Sequence, residues 1–405
     1  MTRPATLTLN AALLALAILQ FARPGAAQTG RMGDGLALTP PMGFNTWNKF
    51  GCNVSEELMK GVADAMVSSG MREAGYQYVV IDDCWQVARD SATGRIVADP
   101  QRFPNGMRTL ADYLHARGLK FGLYTDAGRR TCEGRPGSYR SYEIDARTYA
   151  DWGVDYTKVD WCNSDSLVAR TQYTQLRDAL RAAGRAIVFS VCEWGSNRPW
   201  EWAPGVGHLW RTTGDIADHW NSFLRILDAS ATHARAAGPG GWNDPDMLEV
   251  GNGGMSAGEY RAHFSLWAIM AAPLIAGNDI RGMSDTTRDI LTNREVIAVD
   301  QDSLGTQGWL VAQPSPDLQV WMKPLRDGSR AVALLNRTEA PEQIAVLWSA
   351  IGLRDGPATV RDLWAHADRG RFAGRYAANV PAHGVVMLRI SGSRSTLSGR
   401  PARRS

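Results

Sequence analysis

Asp155-Tyr156-Thr157-Lys158-Val159-Asp160-Trp161-Cys162 is a short β-prone run that ends in a carboxylate and a tryptophan, and an amphipathic stretch, 166–183, follows it. On a strand, residues two apart face the same side, so Lys158 and Asp160 share a face. The same rhythm of an apolar run closing on polar or aromatic residues recurs at 42–47, 76–85, 120–126, 186–194, 208–215, 241–247 and 273–279. Amphipathic stretches such as 56–69, 107–117 and 258–270 lie between these runs. The sixth and seventh runs read more like loops than strands. Eight strand-then-helix units over about 270 residues have the size of a (β/α)8 TIM barrel. An open doubly wound sheet would be signalled by a G-x-G-x-x-G turn after the first strand, and that turn is absent.

From about residue 305 the texture changes to short alternating segments, among them 318–323, 330–336, 343–348 and 384–390, broken by Pro, Gly and Asp. The expected fold is therefore α/β: a barrel over 28–304 followed by a C-terminal antiparallel β-sandwich over 305–392. The Ser- and Arg-rich end, 393–405, reads as a disordered tail.

The chain has 405 residues, 44 basic against 41 acidic, for a formal charge of +3. The excess lies largely in Arg394, Arg400, Arg403 and Arg404, so no basic face for nucleic acid is implied. At the N-terminus, Arg3 precedes an apolar core at 11–21 and the small residues Gly25-Ala26-Ala27. This is the pattern of a cleaved signal peptide, 1–27, and it predicts a secreted or periplasmic protein. The apolar core is shorter than the roughly 20 residues that span a bilayer, so no membrane anchor is expected. No C-x-x-C pair or histidine ligand spacing points to a metal, and no cofactor motif is present.

The carboxylates carry more information. Asp82, Asp83, Asp126, Asp160, Glu193, Asp215, Asp244 and Asp246 all end or follow apolar runs, which on a barrel is the catalytic face. Trp47, Trp85, Trp161, Trp194, Trp210 and Trp242 fall at the same strand ends, and about half of them are expected to stack on sugar. Trp152, Trp220 and Trp267, on helical stretches, are read as packing. Carboxylates for hydroxyls, aromatic platforms and no metal together describe carbohydrate chemistry. Glycoside hydrolysis needs two carboxyl groups flanking the anomeric carbon. Asp160 is the nucleophile candidate, because the Lys158 ammonium favours its ionised form. For the acid, spacing leaves Asp215, Asp246, Asp83 and Glu193 in competition.

At these residues the sequence resembles the α-galactosidases of glycoside hydrolase family 27, in particular the plant-like and bacterial members. The resemblance rests on Leu38-Thr39-Pro40-Pro41-Met42-Gly43, Ile81-Asp82-Asp83-Cys84-Trp85, Lys158-Val159-Asp160 and Cys192-Glu193-Trp194-Gly195. It extends through Trp210-Arg211-Thr212-Thr213-Gly214-Asp215, the run from Gly240-Gly241-Trp242 to Met247-Leu248, Asn278-Asp279 and Gln301-Asp302-Ser303-Leu304-Gly305. It implies Asp160 as nucleophile and Asp215 as acid/base of a retaining enzyme, with carboxylates about 5–5.5 Å apart. It further implies Asp82 and Asp83 on the hydroxyls at carbons 4 and 6, Lys158 on those at carbons 3 and 4, and Glu193 and Arg211 on the 2-hydroxyl. Trp47, Tyr124, Asp246 and Met247 would line the same pocket. Disulfides Cys52–Cys84 and Cys132–Cys162 are implied too, leaving Cys192 free.

The partner so implied is a carbohydrate with terminal α-galactose. Among relatives on this barrel, an α-N-acetylgalactosaminidase is disfavoured by Glu193, and a β-L-arabinopyranosidase by the intact Asp82-Asp83 pair. From another class, a non-catalytic galactose-binding protein is disfavoured by the presence of both catalytic carboxylates.

Overall fold

The computed structural model describes residues 31–393. The expected signal peptide and the expected tail from 394 onward lie outside the described residues.

Eight strands make one sheet: β1 (Met42–Asn45), β2 (Tyr78–Ile81), β3 (Lys120–Asp126), β4 (Tyr156–Asp160), β5 (Val188–Val191), β6 (Leu209–Arg211), β7 (Trp242–Asp244) and β8 (Leu274–Ala276). Every neighbouring pair is parallel, in the order β8-β1-β2-β3-β4-β5-β6-β7. Leu248, just beyond β7, closes the ring by a parallel bridge to Ala276, its amide donating to the Ile275 carbonyl at 2.8 Å. All eight runs read from the sequence contain a strand. β6 and β7 are three residues long, too short for alternation to show, which is why their runs read as loops.

Alternation along the strands builds the interior in levels. Tyr78, Val80, Tyr156, Val188, Leu209 and Trp242 form an apolar plug inside the barrel. Residues of the other parity, including Val79, Ile81, Phe121, Leu123, Val159, Phe189 and Val191, join the larger core under the helices. Two residues beyond Val80, Tyr156 and Leu209 come Asp82, Lys158 and Arg211, so the inward face turns from apolar to charged towards the strand C-termini.

The helices that cover the ring are α1 (Glu56–Ser68), α2 (Gly106–His115), α3 (Tyr142–Trp152), α4 (Ala169–Ala182), α5 (Pro199–Trp202), α6 (Trp220–Ala231), α7 (Ala257–Met270), α8 (Asp285–Leu291) and α9 (Arg294–Asp300). A β-hairpin, Gln86–Arg89 with Ile96–Ala98, is inserted after β2 and interrupts the strand-helix rhythm. α7 starts on a capping box, Ser256 with Glu259, and is buried continuously from Ala262 to Met270. A helix apolar on all sides needs a second layer, and the C-terminal domain supplies it.

That domain has strands β9 (Trp309–Ser315), β10 (Leu318–Pro324), β11 (Arg330–Asn336), β12 (Glu342–Leu347), β13 (Pro357–Asp362), β14 (Ala367–Ala373), β15 (Arg375–Val380) and β16 (Val385–Ser391). They form an antiparallel sheet β9-β10-β11-β16-β13-β14 and a pair β12-β15 around their own apolar core. Polar contacts stitch it to the barrel. Trp364 Nε1 donates to Ser265 Oγ of α7 at 2.9 Å, and the fully buried Lys323 of β10 donates to the Asp300 carbonyl at 3.1 Å.

Gly43 of β1 pairs with Tyr78, and a Cβ there would lie 2.4 Å from the Tyr78 carbonyl oxygen and 2.8 Å from its Cβ. The absence of a side chain lets Tyr78 fill the barrel. Gly43→Ala is expected to destabilise the protein by about 1–3 kcal/mol through overpacking, read as a fall in Tm in a thermal melt.

Candidate active site

The charged ends of the strands converge on a pocket lined by Trp47, Asp82, Asp83, Tyr124, Lys158, Asp160, Arg211, Asp215, Asp246 and Met247. Of the catalytic and sugar-binding residues that the family resemblance implied, Glu193 is the one that does not line it. Asn48, Cys132 and Trp194 also line the pocket. Trp194 carried a signal as a strand-end tryptophan; Asn48 carried none beyond standing next to Trp47.

Lys158 organises one side. Its Nζ lies 2.8 Å from Asp82 Oδ2 and 3.8 Å from Asp160 Oδ1, and Asn45 Nδ2 donates to the same Asp82 oxygen at 2.7 Å. Asp160 is nearly enclosed, and its Oδ1 accepts no hydrogen bond from the protein. Burial pushes its pKa up, to about 6, while the Lys158 ammonium pulls it back and the Asp82 charge adds to the rise. Asp83, raised by burial, accepts from the Cys84 amide at 2.6 Å and the Glu133 amide at 3.0 Å.

Arg211 organises the other side. Its Nη2 reaches Asp215 Oδ1 at 2.9 Å and Asp246 Oδ2 at 3.1 Å. Asp215 stands in the open, its side chain 65% exposed. Partial desolvation would raise its pKa, but the charge and hydrogen bond of Arg211 outweigh that and hold the carboxyl below its ordinary range. Asp246 is buried and fixed by the amides of Ile216 at 2.9 Å and Met247 at 2.8 Å.

Three of the strand-end carboxylates hold loops instead of facing the pocket. Asp126 accepts from the amides of Gly128 at 2.6 Å and Cys162 at 2.8 Å, and burial pushes it up to about 8. Asp244 Oδ1 accepts from the Asp246 amide at 2.9 Å. Glu193 is enclosed, with Oε2 accepting from the backbone and side chain of Asn197 at 2.5 and 2.6 Å, and burial pushes it up to about 7. The tryptophans divide similarly. Trp47 and Trp194 line the pocket, Trp85, Trp210 and Trp242 are fully buried, and Trp161 packs on Tyr173 at 5.5 Å.

Cys52 is bonded to Cys84 and Cys132 to Cys162, and Cys192 is a buried free thiol. The bridges bracket the site, since Cys84 follows Asp83 and Cys162 is two residues past Asp160. Among the described residues, the clusters with metal-like spacing are Cys52, Cys84 and Glu133, and Asp126, Cys132 and Cys162. Their sulfurs are committed to the disulfides and are not thiolates.

Residues 39–302 match the family described as alpha galactosidase A, and residues 315–390 match the alpha galactosidase C-terminal beta sandwich domain. The chain belongs to the alpha-galactosidase family. It is 51% identical over 380 residues to alpha-galactosidase A of Cellvibrio japonicus, covering 88% of this chain and 93% of that one. The crystal structure of alpha-galactosidase I from Mortierella vinacea superposes with a TM-score of 0.87 at 38% identity, covering 90% of this chain and 99% of that one. The Saccharomyces cerevisiae alfa-galactosidase solved with raffinose gives 0.85 at 31% identity, covering 90% and 99%. The reaction of the chain is accordingly hydrolysis of terminal α-galactose.

Because the Lys158 ammonium favours the ionised form of Asp160, Lys158→Met is expected to raise the Asp160 pKa further. A carboxyl-carbon NMR titration, with Asp160→Asn to assign the resonance, measures this. An unchanged or lowered value would show that Lys158 does not set the charge of Asp160.

Proposed function

We propose that the chain is an exported, retaining exo-glycosidase in which Asp160 is the nucleophile and Asp215 the acid/base. The observation that carries this reading is the asymmetry of two carboxylates in one pocket. Asp160 is enclosed with an unpartnered oxygen, and Asp215 is exposed at the opening where a leaving group departs. Asp160 attacks the anomeric carbon while the aglycone oxygen takes a proton from Asp215, giving a β-galactosyl ester and a free alcohol. Asp215, now ionised, removes a proton from water, which attacks the anomeric carbon and breaks its bond to the Asp160 oxygen. α-Galactose leaves, Asp160 is released as carboxylate and Asp215 holds its proton again.

Lys158, Asp82 and Asp83 sit together and suit the hydroxyls at carbons 3, 4 and 6, which supports galactose over a pentopyranose lacking the carbon-6 arm. Arg211 lies beside Asp215 and Asp246 and suits the 2-hydroxyl; Glu193, bonded to Asn197, supports the pocket wall from behind. The substrates proposed are α-galactosyl oligosaccharides, in line with the raffinose held by the yeast relative. Export is supported by the two disulfides, which persist in oxidising compartments. Among the described residues no helix is long and apolar enough to cross a membrane.

Azide separates the two carboxylate roles. Asp160→Gly should lose turnover and form β-galactosyl azide when azide replaces the nucleophile. Asp215→Gly should lose on the order of 10²–10⁴-fold with poor leaving groups, and form α-galactosyl azide from the covalent intermediate. The same azide anomer from both variants would sink the assignment.

The pH profile follows from the pKa order. The productive form has one proton on the pair, carried by Asp215, yet in the free protein Asp160 holds a proton more tightly than Asp215 does. The productive arrangement is thus a minority of the singly protonated state, and the two limbs belong to the pair. kcat/KM should be highest on the acid side, fall above about pH 6 as the proton leaves, and fall again at lower pH as a second proton adds to the depressed Asp215. A profile flat from about pH 5 to about pH 8 would contradict it.

A further inference from the structure

Asn48 lines the pocket beside Trp47, and neither the reaction nor the hydroxyl contacts above use it. Its Nδ2 donates to Glu249 Oε1 at 2.5 Å. The other oxygen of Glu249 accepts from Asn252 Nδ2 at 2.6 Å, and the Glu249 amide donates to His263 Nε2 at 3.1 Å. His263 is fully buried, which lowers its pKa to about 3 and leaves the ring neutral and able to accept. Glu249 is itself buried and does not line the pocket.

An ionised carboxylate can only accept hydrogen bonds, whereas an amide has a donor end and an acceptor end. With a carboxylate behind it, Asn48 must turn its NH2 inward, and its carbonyl Oδ1 is the end left for the pocket. The side chain is also braced from the opposite wall. Gly277 comes so close that a Cβ there would lie 3.2 Å from Asn48 Cβ and 3.4 Å from Asn48 Cγ. Burial pushes Glu249 up to about 7 against the two amide donors, so the acceptor-only form holds above neutrality, and the variants are compared at about pH 8.

We propose that Asn48 is a further substrate-contacting residue, accepting a sugar hydroxyl through Oδ1, and that Glu249 is a positioning residue whose acceptor-only carboxylate sets which end of that amide faces the substrate. The proposal rests on the α-galactosidase reading of the pocket and adds a recognition element to it. Replacing Glu249 by glutamine puts a donor behind Asn48, so the amide can reverse and present NH2 to a hydroxyl that was donating.

The test is steady-state kinetics on an α-galactosyl oligosaccharide with wild type, Asn48→Leu, Glu249→Gln and the double variant. Wild-type turnover tests the underlying reading by itself; the variants test only this one. Loss of one neutral hydrogen bond should raise KM by about three- to tenfold in each single variant, with kcat nearly unchanged. Since Glu249 acts through Asn48, the double variant should be no worse than Asn48→Leu. A KM for Asn48→Leu equal to that of wild type, or single effects that multiply in the double variant, would overturn the proposal. Gly277→Ala provides a second route should Glu249→Gln not fold: the new methyl would press on Asn48 Cβ and Cγ at 3.2 and 3.4 Å and on the Leu248 carbonyl oxygen at 3.1 Å, and an unchanged Tm shows that the barrel backbone absorbs the second contact. It too should raise KM, and an unchanged KM would count against the proposal.

Discussion

One buried ammonium makes the pocket possible. Lys158 contacts Asp82 and Asp160, carboxylates that belong to different strands and that would repel one another without it. Burial pushes Asp160 up and the Lys158 ammonium opposes that rise, while the neighbouring carboxylates raise the lysine pKa despite its enclosure. Arg211 does the same between Asp215 and Asp246. The pocket is thus two carboxylate groups, each built around one cation. What differs between them is the balance: enclosure pushes Asp160 up, while the Arg211 charge and hydrogen bond outweigh desolvation at the more exposed Asp215 and hold it down.

The placement of those cations follows from strand parity. Tyr156, Lys158 and Asp160 occupy successive inward positions of β4, so the strand that plugs the barrel with a phenol also delivers the lysine and the carboxylate above it. The same step connects Val80 to Asp82 and Leu209 to Arg211. A glycine at 43 and another at 122, where a Cβ would meet Val80 Cγ2 at 2.6 Å, make room for the plug.

Parity is written in the sequence, and so the strands, the pocket-lining carboxylates and Lys158 could be read from it. Loop geometry is not. Asp126, Asp244 and Glu193 stand at strand ends like the others, but backbone amides two or four residues onward turn them into loop braces, a distinction that depends on local chain direction. Trp85, Trp210 and Trp242 were equally ambiguous, because a strand-end indole can point into the pocket or back under a helix. The Asn48–Glu249 contact joins residues 201 positions apart through a single hydrogen bond, and no local pattern announces such a pair. The hairpin after β2 was hidden by the regular rhythm around it.

The burial of α7 on every side has a consequence for how the chain can be divided. A helix of the barrel that keeps a polar outer face would tolerate removal of whatever lies beyond it. α7 has no such face: Ser265 and the Ala268 carbonyl are already engaged by Trp364 and Lys323, and Phe264 packs at 6.4 Å from the Trp364 ring. The barrel therefore is not a portable module. A chain cut before β9 would leave a strip of apolar helix in water next to the eighth strand, and the protein must be inherited, fused or shuffled as a two-domain unit.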